Sequence, residues 1–364
     1  MSVLTMTNKK NCKKNMILPK NDNIFVTIPF KPQMSMKKIY GLILGLASAL
    51  QINAQDPEFS QFYAAPVYTN PAMAGTAFCG RQSAGRMSIN YRNQWPSLPG
   101  TFRSFNASYD QHYDKIGGGI GLMATYDRAG AGLLTTTSFS GVYSYVLPVN
   151  KTFFLRAGLQ ASFVQKAIDH TKLRFGDQIH PTQGFVLPTQ EPTANSSVVF
   201  PNFAAGVLAY SERFYAGFAM HNITEPVQSF YSNNDGIVPR RYTFHTGVVI
   251  PLDRKKFSQA TFSPNALFMM QQNFTQINFG FYVNKGPIVT GLWYRQTLGT
   301  YGNSDALMVL LGFRKDRFKF GYSYDITVSS ARSAAPGSHE VSASVDWCLR
   351  DRPLRFKPLR CPDF

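Results

Sequence analysis

From Gly85 to Trp347 the chain alternates between apolar and polar residues, in one short segment after another. The last segment reads HEVSASVDW: Val341, Ala343, Val345 and Trp347 fall on one face, Ser342, Ser344 and Asp346 on the other. A period of two means β-strands. A soluble sandwich would turn an aliphatic face inward. Here the apolar face is rich in aromatics, and the other carries Ser, Thr, Asn, Gln, Gly and single charges. That is a sheet apolar outside and wet inside, the pattern of a membrane-spanning β-barrel.

The segments and their connections support this. Fourteen strands are predicted: Gly85–Arg92, Arg103–Tyr113, Gly118–Asp127, Leu134–Leu147, Phe153–Ile168, Asn202–Tyr210, Phe214–Asn222, Arg241–Ile250, Phe262–Gln271, Gln276–Val283, Ile288–Arg295, Ala306–Lys315, Phe318–Ile326 and Glu340–Trp347. Connections after even-numbered segments are tight and charged: DKIG, PVNK, SER, NKG and Asp316-Arg317, with PLDRKKFSQAT the one longer case. Connections after odd-numbered segments are mostly long and polar or Gly-rich, such as residues 169–201 and TEPVQSFYSNNDGIVPR, with QNFT the exception. Short turns at one end and long loops at the other is the outer-membrane arrangement, the short side being periplasmic. The expected fold is therefore all-β: a transmembrane antiparallel up-and-down barrel of about fourteen strands in the outer membrane, with both termini in the periplasm.

The remaining segments divide as follows. Met36-Lys37-Lys38 followed by the apolar run Ile39–Leu50 and a small residue at Ala54 reads as a signal peptide over 36–54. Residues 1–35 would precede a signal that ought to come first, so they read as a start-site artefact. Residues 55–84 hold Pro57, Pro66 and Pro71 and are expected to be a periplasmic or plug segment rather than ladder strands. Residues 85–347 are the barrel, and 348–364 a basic, Pro-broken periplasmic tail.

The chain carries a formal charge of +17; eight of its 37 basic and one of its 20 acidic residues lie in 1–54, so the remainder carries +10. Lys115, Lys151, Arg213, Arg254, Lys255, Lys256, Lys285, Lys315, Arg317 and the tail cations map to the short-turn side. Such a rim meets lipid phosphates or an acidic periplasmic partner. Export puts Cys79, Cys348 and Cys361 in an oxidising compartment. First and last strands are neighbours in a closed barrel, so either Cys79 bridges Cys348 or Cys361, or all three are free thiols.

No GxSxG, HExxH, P-loop or CxxC is present, and the six histidines are scattered. No catalytic, cofactor or metal site is expected, and no nucleic-acid partner. A Ser–His pair from His245 with Ser140 or Ser323 is conceivable, but nothing in the sequence joins them. Arg156, Asp110, Asp325 and Glu340 are expected in internal salt bridges.

The opening QDPEFSQFYAAPVYTNPAMAG resembles that of the PorP/SprF family of Bacteroidetes outer-membrane proteins. So do NYRNQWPSL, SYDQHYDKIGGGIGL, LRAGLQASFVQKAIDHTKLRFGDQI, HNITEPVQSF, GYSYDITVS, GSHEVSASV and the closing CPDF, in order over residues 55–364. The resemblance implies a non-enzymatic barrel of the type IX secretion system, serving protein secretion and, in some relatives, gliding motility. It implies as partners the periplasmic ring lipoproteins and a peptidoglycan-binding component, or the C-terminal domain of a secreted adhesin, alongside outer-membrane lipid. The alternative is a diffusion channel for small or hydrophobic solutes. Within the family's opening motif, Asp56, Phe59, Ser60, Gln61, Phe62, Tyr63, Asn70 and Pro71 are the candidates for a plug or docking segment. Their aromatic rings need a surface to bury against; that surface is either a partner or the barrel's own lumen. Arg254, Lys255 and Lys256 are the candidate docking turn.

Overall fold

The computed structural model describes residues 58–348 except 80–81, 99, 131–132, 151, 181, 191–195, 231–235, 253–259, 299–302 and 330–336. The candidates Asp56, Arg254, Lys255, Lys256 and Cys361, with Lys151 and the basic tail, lie outside the described residues, as do the signal segment and residues 1–35.

Fourteen long strands run antiparallel, each bonded to the next: β1 Gln82–Gln94, β2 Phe102–Tyr113, β3 Gly118–Ala129, β4 Leu134–Pro148, β5 Phe153–Ile168, β6 Ser197–Ser211 and β7 Phe214–His221. The second half is β8 Arg241–Val248, β9 Thr261–Gln271, β10 Phe274–Lys285, β11 Ile288–Leu298, β12 Asn303–Lys315, β13 Phe318–Thr327 and β14 Gly337–Cys348. β14 pairs with β1, from Ser338↔Gln94 to Cys348↔Ala84, and this closes the sheet into a barrel. Closure supplies each strand with a partner on both sides, which the hydrocarbon interior of a membrane demands.

The wall faces as the alternation predicts. On β1, Ser88, Asn90 and Arg92 are buried toward the lumen, while Met87, Ile89 and Tyr91 are exposed. On β5 the outward row holds Leu155, Leu159 and Phe163, the last 70% exposed. This apolar belt is the lipid-facing surface of an outer-membrane barrel.

Several strands run a few residues past the expected bounds; β1 starts at Gln82 and a short strand forms at Phe78–Cys79, so the end of segment 55–84, expected to be free of ladder strands, joins the sheet. Two of the differences have a physical reason in proline. β6 starts at Ser197, not Asn202, and so includes Pro201, which pairs with Phe163 of β5. β7 pairs with β6 only from Ala205 onward. At Pro201 the ladder is therefore one-sided, and the missing N–H of proline costs no bond. Pro264 in β9 stands where β8 breaks before the short Ile250–Pro251 strand. The short turns take the conformations their residues allow: DKIG is a 3-10 turn ended by Gly117 at φ 64°, and Asp316 at φ 54° turns β12 into β13. The loop after β5 carries its own two-residue hairpin, Ile179–His180 with Gly184–Phe185.

Candidate functional site

The lumen is filled by the chain's own residues 58–77. Pro66 starts a one-turn helix, α1 (Pro66–Thr69), and Asn70 caps the following 3-10 turn Pro71–Met73 by accepting from the Ala72 N–H at 2.9 Å. Proline at the first helical position and Asn at the cap are the residues these positions favour. Two compact turns joined by proline cannot enter a ladder, so the segment folds as a plug. Phe59, Ser60, Gln61, Phe62, Tyr63, Asn70 and Pro71 are all buried, as are Val67, Ala72 and Ala74.

At the long-loop end the plug is held by charge. Arg92 of β1 meets Asp325 of β13 at 2.7 Å and Glu340 of β14 at 3.3 Å. Arg295 of β11 lies 3.6 Å from Asp325 and 3.5 Å from Glu58. Into this cluster the plug inserts Ser60 and Gln61. The Ser60 N–H donates to Glu340 Oε2 at 2.6 Å, its hydroxyl donates to Asp325 Oδ2 at 2.5 Å, and Arg92 donates to that same hydroxyl. The Gln61 N–H donates to Glu340 Oε1 at 3.2 Å. The Gln61 amide donates to the Glu340 carbonyl at 3.0 Å and accepts from Ser342 at 2.5 Å. Glu340 and Gln61 are fully buried. Buried carboxylates are tolerated only when paired and hydrogen-bonded, as here.

In the middle the plug is held by rings and an amide. The Tyr63 hydroxyl accepts from Tyr215 at 2.5 Å, and its ring packs edge-on against Tyr215 and Tyr282. Phe62 packs edge-on against Trp293, centroids 5.5 Å apart. The Asn70 amide donates to the Val207 carbonyl at 3.1 Å and sits 3.1 Å from His245 Nε2.

At the short-turn end the wall yields space to the plug backbone. A Cβ on Gly158 of β5 would lie 2.3 Å from Ala72 N, and one on Gly119 of β3 2.4 Å from Ala74 O. Glycine is the one residue that permits such approach. Arg156 donates to the Ala74 carbonyl at 2.7 Å and the Gly75 carbonyl at 3.2 Å. Asp110 accepts from the Gly75 N–H at 2.7 Å and pairs with Arg86 at 2.9 Å. Thus Asp110, Asp325 and Glu340 do form internal salt bridges, while Arg156 serves as a clasp on plug carbonyls. Glu58 is bonded to Gln276 near the β9–β10 turn, whereas Gly75 touches the first residues of β3. The plug therefore runs the length of the lumen, from the long-loop end to the short-turn end.

The conceivable Ser–His pairing is not assembled: His245 meets Asn70, Ser140 bonds Ser162 at 2.8 Å, and Ser323 accepts from Gln61 at 3.2 Å. Among the described residues no cluster of His, Cys, Asp and Glu has the makings of a metal site. Cys348 is disulfide-bonded. The two-residue strand Phe78–Cys79 is bonded to β1, which pairs with β14, so the Cys79 backbone lies beside the end of β14. Of the basic rim, Lys115, Arg213, Lys285, Lys315 and Arg317 stand at the short-turn end.

A closed fourteen-strand barrel packed with its own N-terminal segment is thus on view. Its sequence matches the family described as type IX secretion system membrane protein PorP/SprF over residues 51–345. The chain belongs to the PorP/SprF family. It is an outer-membrane β-barrel of that secretion system's membrane-protein family. Three solved structures are similar in outline to this PorP/SprF barrel. A Pseudomonas aeruginosa FadL homologue is 12% identical, with 78% of this chain and 94% of that one covered and a TM-score of 0.43. The Acinetobacter baumannii outer membrane protein Omp33 is 8% identical, with 74% and 100% covered and a TM-score of 0.42. The KdgM porin is 10% identical, with 71% and 98% covered and a TM-score of 0.32. No curated protein matches the chain.

The sequence singled out the plug's own residues but missed the wall groups that receive it: Trp293, Tyr282, Tyr215, Arg92, Arg295 and the glycines at 119 and 158. A signal for the aromatics was present. β11 reads IVTGLWYRQTL, with Val289 and Trp293 inward and Ile288 and Leu292 outward, so both faces are apolar. A water-filled lumen has no use for an inward Trp.

Proposed function

We propose that this PorP/SprF protein is a closed, non-enzymatic anchor of the type IX secretion system in the outer membrane. Its short-turn end faces the periplasm and docks the ring lipoproteins and the peptidoglycan-binding component. Both termini of the barrel proper, β1 and β14, open on that side. The observation that carries this reading is the plug, held along the length of the lumen by ion pairs, rings and backbone contacts. A channel for solutes needs a continuous wet path. A fourteen-strand barrel is also too narrow to pass a folded protein. A plugged barrel offers instead two end surfaces. The periplasmic one carries a basic rim suited to an acidic partner.

A second role, assisting export or surface attachment of a secreted adhesin, and through it gliding motility, has its own support. On the loop after β5, Ile179, Phe185, Val186 and Leu187 are each 41–55% exposed. Clustered apolar groups on a folded loop favour a protein partner.

The test is affinity purification of the tagged barrel from cross-linked cells. Ring lipoproteins should co-purify with the native chain. Reversing Arg254, Lys255 and Lys256 to Glu should reduce their yield while leaving heat-modifiable migration intact. The native complex should loosen as ionic strength passes about 0.15 M, where screening acts within roughly 8 Å. Undiminished yield from the triple variant would refute the docking rim.

A further inference from the structure

The outward face of the wall carries a charged feature that the plugged lumen does not account for. Arg103 of β2 stands directly opposite Arg128 of β3 in the ladder. Both continue lipid-facing rows. Arg103 follows Phe105 and Arg128 follows Tyr126, themselves a cross-strand pair and both exposed. Ser104 and Asp127, the residues in between, point the other way and bond to each other at 2.5 Å. With Tyr91 opposite Phe105 on β1, these rings form an aromatic girdle at the long-loop end. The two arginines lie one outward position beyond it, where lipid headgroups begin.

Neither guanidinium has an ion pair, hydrogen bond or ring contact among the described residues. The flanking strands turn no described carboxylate toward them. Asp110 is fully buried and accepts from the plug, Asp127 lines the lumen, and Glu340 of β14 points inward. Asp169, whose N–H donates to the Leu133 carbonyl just before β4, is taken up by Lys172 at 2.8 Å. Among the described residues, Arg103 and Arg128 are also the only cations that the strands turn outward at this end. Like charges placed directly opposite across a ladder are destabilising, and here nothing within the described protein offsets the repulsion. Opposed side chains have Cβ atoms about 4.5–5.5 Å apart, so two guanidinium forks can converge on the oxygens of one tetrahedral anion. A guanidinium matches phosphate in shape as well as charge. The rings beneath say where such a phosphate comes from: the site opens onto the apolar belt, not onto free water.

We propose that Arg103 and Arg128 form a clamp for the phosphate of a membrane lipid, whose acyl chains lie along Phe105, Tyr126 and the outward Leu122 below them. With the long-loop end at the cell surface, as the proposed orientation has it, that lipid belongs to the outer leaflet. The clamp itself is tested on the purified chain and so independently of the orientation.

The experiment uses the full chain in dodecyl maltoside, a detergent with an uncharged head, and native mass spectrometry to count bound lipid. The probes are monophosphorylated lipid A, the same lipid dephosphorylated, and inorganic phosphate. The native chain should bind one phosphorylated lipid about tenfold or more tighter than the dephosphorylated one, the worth of a charge-assisted bond. Arg103→Gln with Arg128→Gln should remove that preference and leave the dephosphorylated lipid unchanged. Arg240→Gln with Lys172→Gln removes two cations that already have partners, Glu225 and Asp169, and should keep the preference. Without lipid, the Arg103 and Arg128 double variant should lose heat-modifiable migration at no lower temperature than the native chain, since only repulsion is removed. Excess inorganic phosphate should leave the phosphorylated lipid bound. The proposal is overturned if the two lipids bind alike, if the control pair abolishes the preference as well, or if the double variant unfolds earlier than the native chain without lipid. It is equally overturned if inorganic phosphate erases the preference, which would mark a site for free phosphate.

Discussion

Replacing Arg92 by Met should unseat the plug. Arg92 and Arg295, two cations, face three carboxylates, Glu58, Asp325 and Glu340, within one cluster, and Arg92 alone touches Asp325, Glu340 and Ser60 together. Asp325 and Glu340 are 2% and 0% exposed, so water does not reach them while the plug is seated. Removing one member of a buried ion pair costs about 3–5 kcal/mol, because the partner charge is left without compensation. Withdrawal of residues 58–61 would let water in to solvate both carboxylates, so most of that cost falls on the plugged state. A shift of about 3 kcal/mol raises the unplugged fraction by roughly a hundredfold. The assay is thiol labelling of Ala72→Cys, a plug position that is fully buried, with the parental chain as baseline. Labelling should be slow in the otherwise native barrel and about a hundredfold faster with Arg92→Met, as far as the opening equilibrium controls the rate. Adding Glu340→Gln removes one of the two stranded charges while its amide oxygen keeps one of the two plug N–H bonds, so labelling should slow in part. Equal labelling rates with and without Arg92 would refute the reasoning that charge holds the plug.

Three further outcomes are expected. Gly158→Val should release the plug without touching any charge, since its Cβ would fall 2.3 Å from the Ala72 nitrogen; the same thiol assay reads it, and slow labelling would refute the close-approach argument. Asn70→Ala should lower the midpoint of heat-modifiable unfolding, by the roughly 1–3 kcal/mol that an unsatisfied buried donor such as the Ala72 N–H costs; an unchanged midpoint would refute it. A tag at Gly184, in the loop hairpin, should be labelled on intact cells and one at Lys256 should not; reversed labelling would overturn the orientation.

The barrel was legible in the sequence because its signal repeats. Each strand restates the same alternation, and loop length sorted by parity is independent of residue type. Strand ends were less legible where backbone pairing decides them: Pro201 reads as a breaker, yet the shortness of β7 makes it an acceptable strand residue. The plug was half legible. Its prolines and aromatics mark residues 55–84 as non-ladder and in need of burial, but the same residues would suit a partner's groove. What assigns them to the lumen is the receiving side: an inward Trp293, an inward Tyr282, and glycines facing plug backbone. These belong to strands whose own alternation is otherwise regular, so they read as exceptions until the wall is closed around them. Arg92 is far in sequence from Asp325 and Glu340 and meets them only because β14 closes on β1. Arg156 could be placed in the lumen from its strand but not assigned to carbonyls, since no sequence pattern distinguishes an ion-paired lumen arginine from a clasp.

The most direct measurement is ion conductance of the purified full-length protein in planar bilayers. A lumen occupied along its length by residues 58–77 predicts no steady conductance from the native barrel, and a steady open level from a variant lacking residues 58–76. A native barrel that conducts steadily, at the same level as the truncated one, would contradict the plugged barrel and with it the reading of this protein as an anchor rather than a channel.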